Sequence, residues 1–430
     1  MLQYKNYVPE GVADTHWDEY ETKDRIMGQI KKHFKNFGYR QIMTPTFEYY
    51  DLFAGIDGTI HRDEMFKFID GNGKILVLRP DVTIPIARMA ANGFEASKGY
   101  LKFSYVSNVF RVSEEQCGNK REFMQAGIEY LGNEKADADA EVVAVGIKII
   151  LDCGIKNFQF DLGQAAFFKG LMMEVAVERP IKDQIRKLIE QKNTSELAHF
   201  LKPLNIPSRV KETILKIPYL YGKAAEVIVE ARRIALNIEM EKAIKYLEEV
   251  YEILKDYGYE QYITVDLGLV NHMDYYTGVI FKGYVQNYGK PLLSGGRYDN
   301  LTKKYGTALP ATGFGLNIDE LMEVMEMNNM LKGSTCFTDF LILYTKKTRE
   351  KAIALAETLR NKGFIVESDL YEQDIKNQIE NAEFRNIKEI VQLLEENLKI
   401  INIRNNEIRK NSLAQFLKNI ENSGAVFSIH

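Results

Sequence analysis

Residues 121–129 read Arg121-Glu122-Phe123-Met124-Gln125-Ala126-Gly127-Ile128-Glu129. Side chains on a strand alternate between faces, so Phe123, Gln125, Gly127 and Glu129 share one side. An amide and a carboxylate flanking a glycine suit a pocket floor, because glycine leaves room for a ligand to approach the backbone. The same alternation suits the solvated face of an antiparallel sheet, and taken alone it favours that plainer reading.

Upstream, Tyr100 to Leu131 reads as strand, polar loop (Ser113 to Lys120) and strand. Before it, Tyr20, Ile26, Met27, Ile30 and Phe34 recur at helical spacing between Asp18 and Phe37, with Gly38 placed to end the helix. A short strand, Gln41 to Thr44, should stop at Pro45. Met65 to Ile69 and Ile75 to Leu78 flank Asp70-Gly71-Asn72-Gly73, a hairpin signal. Downstream, a buried helix is expected over Ala140 to Leu151 and a strand over Phe158 to Leu162. From about 167 to 258 the strand signal vanishes in favour of a helical insertion, clearest at Ile238 to Tyr257. Strands return at Tyr262 to Leu267, Tyr275 to Val285 and Leu292 to Leu293, and a helix over Leu316 to Met327 closes the block. After a linker, Phe340 to Tyr344, Arg349 to Lys362 and Phe364 to Glu367 follow a βαβ order. The expected organisation is therefore α+β, with one domain over 1–327 and a small α/β domain over 335–430.

Composition narrows the function. The chain has 430 residues, 45% hydrophobic and 27% charged, with a net charge of −4. A polyanion-binding surface is usually basic, so this balance weighs against nucleic acid. Cys117, Cys153 and Cys336 are odd in number and far apart, which suits a reducing cytoplasm and offers no disulfide framework. The six histidines show no ligand spacing, and no metal or cofactor is expected. The stretch MLQYKNYVPEG lacks signal-peptide character, and no apolar run could span a bilayer. No Ser-His-Asp or Cys-His constellation and no Walker-type loop stands out, so no catalytic residue is expected.

Other polar groups have plain readings by themselves. Asp81 and Thr83, within Arg79-Pro80-Asp81-Val82-Thr83, would cap a helix. Arg111 would be a surface charge unless something anionic faces it. Ser294-Gly295-Gly296-Arg297-Tyr298-Asp299 is a weak glycine signal.

In order, however, LRPDVT, NVFR with REFMQAGIE, DYYTGVIF, GGRYDNL and TGFGL resemble the catalytic domain of the histidyl-tRNA synthetase family across nearly all of residues 1 to 327. The resemblance implies a class II aminoacyl-tRNA synthetase-like antiparallel sheet with flanking helices, dimerising around GYRQIMTPTFE, followed by a worn anticodon-binding domain. It also implies a histidine pocket. Asp81 and Thr83 would face the ammonium group with Gln125 and Glu129 beside them. Tyr275 and Tyr276 would line the imidazole side, and Arg111 would offset the carboxylate.

The departures from that family fall at the nucleotide. Glu320 stands where the third motif carries an arginine, Asn271 replaces the histidine-specific arginine before DYY, and Ser113 and Glu114 replace a glutamate and an arginine that handle ATP. One charge pair at ~4 Å and an effective dielectric near 20 is worth roughly 4 kcal/mol. Reversing its sign at Glu320 is incompatible with efficient adenylation. The last hundred residues hold 15 Lys and Arg against 14 Asp and Glu, little support for an anticodon-reading surface. These departures resemble one paralogous group, the regulatory subunits of ATP phosphoribosyltransferase. The resemblance implies a non-catalytic chain that pairs, as a homodimer within a hetero-oligomer, with a short-form catalytic subunit and mediates feedback inhibition by L-histidine in the first step of histidine biosynthesis. A working synthetase and a tRNA- or protein-binding pseudo-synthetase are the alternatives.

Overall fold

A computed structural model describes residues 7–55, 60–93, 99–112, 120–270, 276–331, 337–371 and 374–422. The chain divides into two compact units, Met1–Met330 and Leu331–His430.

The first unit opens with α1 (Trp17–Asn36), whose apolar stripe of Ile26, Met27, Ile30 and Phe34 is buried. There follow β1 (Arg40–Gln41), β2 (Phe47–Tyr49), α2 (Asp51–Ala54), β3 (Lys67–Ile69), β4 (Ile75–Leu78) and α3 (Thr83–Gly93). The long pair β5 (Leu101–Phe110) and β6 (Glu122–Leu131) precedes α4 (Ala136–Asp152), β7 (Phe158–Gln164) and α5 (Ala165–Met173). Next come α6 (Arg179–Glu190), α7 (Thr194–Leu201), α8 (Ser208–Lys216), β8 (Tyr221–Lys223), α9 (Ala224–Ile234) and α10 (Ile238–Asp256). The unit ends with β9 (Ile263–Asp266), β10 (Val279–Val285), β11 (Pro291–Arg297), β12 (Ala311–Asn317) and α11 (Ile318–Met327).

Nine strands form one sheet in the order β1-β5-β6-β12-β11-β10-β7-β9-β8. All its pairings are antiparallel except β1 with β5 and β7 with β9. On one side α1 and α4 pack against the strands, with Phe34 of α1 meeting Phe314 of β12. The other side carries α3, the small sheet β2-β4-β3 and a core that includes Val77, Ile84, Tyr105, Tyr276 and Tyr298.

Several sequence expectations are revised. The strand expected at Gln41 to Thr44 shrinks to Arg40–Gln41, because the carbonyls of Thr44 and Pro45 accept from the buried Arg79 guanidinium at 2.7 and 3.2 Å. The expected Leu292–Leu293 is the full strand β11, and β12 carries no strand signal in the sequence at all. Both are disguised by Gly295, Gly296, Gly313 and Gly315, poor strand formers by propensity. Packing demands them: a Cβ on Gly295 would overlap the Gly313 carbonyl, and one on Gly313 would overlap the Glu129 carboxylate. The closing helix starts at Ile318, not Leu316, where Asn317 caps it by accepting from the Asp319 and Glu320 amides. Within the helical stretch, Tyr221–Lys223 adds a short edge strand to the sheet.

The second unit contains β13 (Thr338–Tyr344), α12 (Arg349–Asn361), β14 (Val366–Leu370), α13 (Ile375–Phe384), β15 (Ile387–Leu393), β16 (Leu398–Asn402), β17 (Ile408–Asn411) and α14 (Leu413–Asn422). Its sheet runs β14-β13-β15-β16-β17, parallel across the first three strands and antiparallel thereafter. Residues of α12 and α14 bury one face and those of α13 the other, a small three-layer α/β unit.

Candidate functional site

A cavity of about 910 Å3 opens on the α3 side of the main sheet. Its floor is β6, β11 and β12. Period two sends Phe123, Gln125 and Glu129 into it from β6, and Asp81 and Thr83 enter from the start of α3. Tyr105, Arg111, Tyr276 and Tyr298 complete this end.

Glu129 is the electrostatic centre. Only 1% exposed, it accepts from the Thr83 hydroxyl at 2.7 Å and from the Tyr298 hydroxyl. Among the described residues its partners are therefore hydroxyls, with no cation in contact. Burial pushes its carboxyl up to about 8, the two hydroxyls pull the other way, and nearby Asp81 adds to the rise. Asp81 is also raised by burial, against the pull of the Ile84 amide, from which it accepts at 2.8 Å, and of Arg111. Asp81 is thus both the expected cap and a wall of the cavity. Arg111 donates to the Pro80 carbonyl at 2.9 Å and lies 5.5 Å from the centre of the Phe123 ring, so it is a positioned cation rather than a loose surface charge.

Gly127 has a different reason from the one its sequence suggests. Its register partner on β5 is Tyr105, whose ring, together with the Phe314 carbonyl of β12, fills the space a Cβ would take. The Tyr105 hydroxyl then reaches Gln125 Oε1 at 3.0 Å. The glycine makes room for a tyrosine, not for a ligand against the backbone. Tyr105 and Tyr298 escape single-residue reading, although Tyr298 sits inside the GGRYDNL motif.

The far end of the cavity belongs to α11 and β10. Asp319 is held by Lys23 at 2.7 Å, Lys120 at 3.3 Å and the Met124 amide at 2.6 Å, and its carboxyl is lowered despite burial. Glu320 lines the same end, its carboxyl raised by burial and by Glu323 and Asp319 against Lys290 and Lys120. The motifs themselves offer no cation in place of the missing arginines. The fold brings three lysines to the cavity: Lys282 and Lys290 of the β10–β11 hairpin and, from a segment far away in the chain, Lys120. Carboxylates still outnumber cations along the described lining: Asp63, Glu64, Asp81, Glu129, Asp319, Glu320 and Glu323 against Arg111, Lys120, Lys282 and Lys290. That balance disfavours a triphosphate.

Asp81, Thr83, Arg111, Gln125, Glu129, Tyr276 and Glu320 thus converge on one cavity, while Ser113, Glu114, Asn271 and Tyr275 lie outside the described residues. Arg79 and Arg297 are structural. Arg297 pairs with buried Asp139 at 2.8 Å and donates to the Asn133 and Lys135 carbonyls. Among the described residues no group of three His, Cys, Asp or Glu could hold a metal, and no helix is long and apolar enough to cross a membrane.

Comparison with known proteins agrees with this architecture. The histidyl-tRNA synthetase family matches residues 11–321. An ATP phosphoribosyltransferase regulatory subunit from Acetivibrio thermocellus is 38% identical over 97% of this chain and all of its own length. That of Ruminiclostridium cellulolyticum is 37% identical with the same coverage. A crystal structure from Bacillus halodurans, described as an ATP phosphoribosyltransferase regulatory subunit/histidyl-tRNA synthetase, superposes with a TM-score of 0.80 at 34% identity, covering 90% of this chain and 98% of that one. Histidyl-tRNA synthetase from Nostoc sp. PCC 7120 reaches the same TM-score at 17% identity, over 97% of this chain and 99% of that one, which speaks for the fold alone. The chain belongs to the histidyl-tRNA synthetase family and, within it, to the ATP phosphoribosyltransferase regulatory subunits.

Proposed function

We propose that this chain is the non-catalytic regulatory subunit of ATP phosphoribosyltransferase, and that its cavity binds L-histidine as the feedback signal of histidine biosynthesis. One observation carries the histidine assignment. Glu129 is a buried carboxylate whose described partners are hydroxyls, near a second carboxylate, Asp81, with Arg111 lining the same cavity. A buried carboxylate without a cation is costly, and an incoming ammonium group relieves that cost. Arg111 suits the carboxylate end of the same zwitterion. Gln125, Thr83 and Tyr276 would fix its orientation, and Tyr275 is assigned to the imidazole side on the resemblance alone.

The catalytic partner is a separate, short-form subunit. Histidine would regulate it through linkage, by binding one arrangement of the complex better than another, typically with ~1–3 kcal/mol of coupling. A homodimer through residues 38–48 is supported by Met43 and Phe47, exposed to 85% and 55%. We assign a class II body to residues 1–327, with a helical insertion over about 167–258, and an anticodon-binding-like domain to 335–430. A cytoplasmic location fits the cysteine usage, and tRNA binding is disfavoured by the charge balance.

Calorimetry tests the assignment. Histidine should bind the chain, alone or with the short-form catalytic subunit, and should lower phosphoribosyl-ATP formation by the mixture. Absence of binding in both settings would discard it. The lysines at the far end of the cavity favour the second reading, an adenylating synthetase, although Lys120 is committed to Asp319. Histidine-dependent ATP–pyrophosphate exchange at a synthetase-like rate would revive that reading.

A further inference from the structure

Two tyrosines of the larger cavity lie outside the strands: Tyr298 directly follows β11, and Tyr276 precedes β10. Ladder pairing gives Tyr298 one bond, from its amide to the Ala311 carbonyl at 2.7 Å. The rest of their placement comes from the two segments pressing on each other. A Cβ on Gly296 would come within 2.9 Å of the Tyr276 ring, and one on Gly278 within 3.0 Å of the Arg297 side chain. Glycine at both positions permits this approach.

Thr277 and Asp299 fasten the segments where the tyrosines leave them. The Thr277 hydroxyl donates to the Asp299 carboxylate at 2.9 Å and accepts from the Asp299 amide at 3.0 Å. The Thr277 amide donates to the Arg297 carbonyl at 2.7 Å. The other Asp299 oxygen accepts from the Ala311 amide and from the Arg297 guanidinium, both at 3.1 Å. Arg297 and Asp299 therefore bracket Tyr298 with a bond to each other. Joining the two segments needs no more than the backbone bonds; the side-chain exchange adds a fixed register beside Tyr276 and Tyr298. Neither Thr277 nor Asp299 belongs to the described lining of the cavity.

We propose that Thr277 and Asp299 are positioning residues: they hold the chain beside Tyr276 and Tyr298 so that the Tyr298 hydroxyl stays on the Glu129 carboxylate, and thereby set how well that carboxylate receives a cationic group. Glu129 also faces Asp81 and Thr83 from α3, Tyr105 of β5 and Arg111 just past it, while Tyr39, before β1, feels its charge. None of these is bonded to Thr277 or Asp299, so cutting the clamp acts on Glu129 through Tyr298. A hydroxyl donated to a carboxylate favours its charged form. Releasing Tyr298 therefore drives the Glu129 carboxyl above about 8 and leaves less of it ionised at pH 7. The inference deepens the histidine reading and rests on it for the ligand, but the state of Glu129 can be read in the empty chain.

The test follows the Glu129 carboxyl of the full chain against pH by difference infrared spectroscopy, with Glu129→Gln as the subtraction that assigns its band. Tyr298→Phe should raise the midpoint by about one pH unit, the lower end of what a hydrogen bond to a charged group contributes. Thr277→Val and Asp299→Ala should give about half of that rise or more, since they free the tyrosine without removing its hydroxyl. Thr277→Ser, which restores the hydroxyl of the clamp, should return the wild-type midpoint. Histidine affinity at pH 7, by calorimetry, should fall in parallel, up to about tenfold for one pH unit. A purely structural clamp would lower the melting temperature of Thr277→Val and Asp299→Ala and leave the midpoint at its wild-type value. That outcome, or an unmoved midpoint in Tyr298→Phe, would overturn the proposal. If Asp299→Ala does not fold, Thr277→Val, which keeps the size of the side chain, decides. A shifted midpoint in a chain that takes no histidine would uphold the positioning role and count against the histidine reading instead.

Discussion

Replacing Glu129 by glutamine removes one charge from the floor of the larger cavity while keeping the size of the side chain and an acceptor for Thr83. Consider histidine binding at pH 7. An ammonium group ~4 Å from the carboxylate, at an effective dielectric near 20, gains roughly 4 kcal/mol. Because burial holds Glu129 at about 8, ionising it at pH 7 first costs on the order of 1 kcal/mol, one pH unit. The net benefit is about 2–3 kcal/mol, so Glu129→Gln should weaken histidine by between roughly tenfold and a hundredfold. The wild type should also lose up to about tenfold in affinity for each pH unit below 8, because the carboxyl must release its proton to receive the ammonium. The histidine imidazole titrates in the same window, near 6.5, but does so equally with both proteins, so the difference between them isolates Glu129. Calorimetry in buffers of different ionisation enthalpy would count the released proton. If the glutamine variant matched the wild type in affinity at pH 7 and shared its pH profile, the electrostatic account of the cavity would be refuted.

The same carboxyl makes an opposite demand on the empty protein. Its folded value lies above the ordinary 4.5, so its contribution to stability is complete below 4.5 and is lost as pH rises towards about 8. Without ligand, Glu129→Gln should therefore melt at a temperature that gains on the wild type between pH 5 and pH 8; a constant difference would contradict this. Arg297→Ala strands buried Asp139, 0% exposed, and should cost about 3–5 kcal/mol in urea unfolding. Gly313→Ala drives a Cβ into the Glu129 carboxylate and should abolish histidine binding along with part of the stability, read by calorimetry and melting on the same sample. Met43→Glu places a charge in the exposed apolar stretch assigned to dimerisation and should yield a monomer by light scattering, with near-UV circular dichroism unchanged.

What depends on neighbours along the chain was legible in the residues themselves. Periodicity located α1, α4 and α10 within a residue or a few at most ends, and alternation placed Gln125 and Glu129 on a shared face. These are local consequences of helical and strand repeats, and an ordered set of motifs then identified the family and with it the class II fold. The glycine-bearing strands β11 and β12 were hidden because their residues answer to cross-strand crowding rather than to propensity.

The electrostatics came from the folded arrangement. Whether Glu129 meets a cation or a hydroxyl depends on where Thr83 and Tyr298 come to rest, 46 and 169 residues away. The approach of Lys120 to Lys282 and Lys290 and the capture of Asp319 by Lys23 likewise join segments remote in sequence, and the filling of the space above Gly127 by Tyr105 depends on the pairing of two strands. Charge acts through space and burial, which no pattern along the chain records, so the sequence could name the pocket's residues while only the fold could say what they confront.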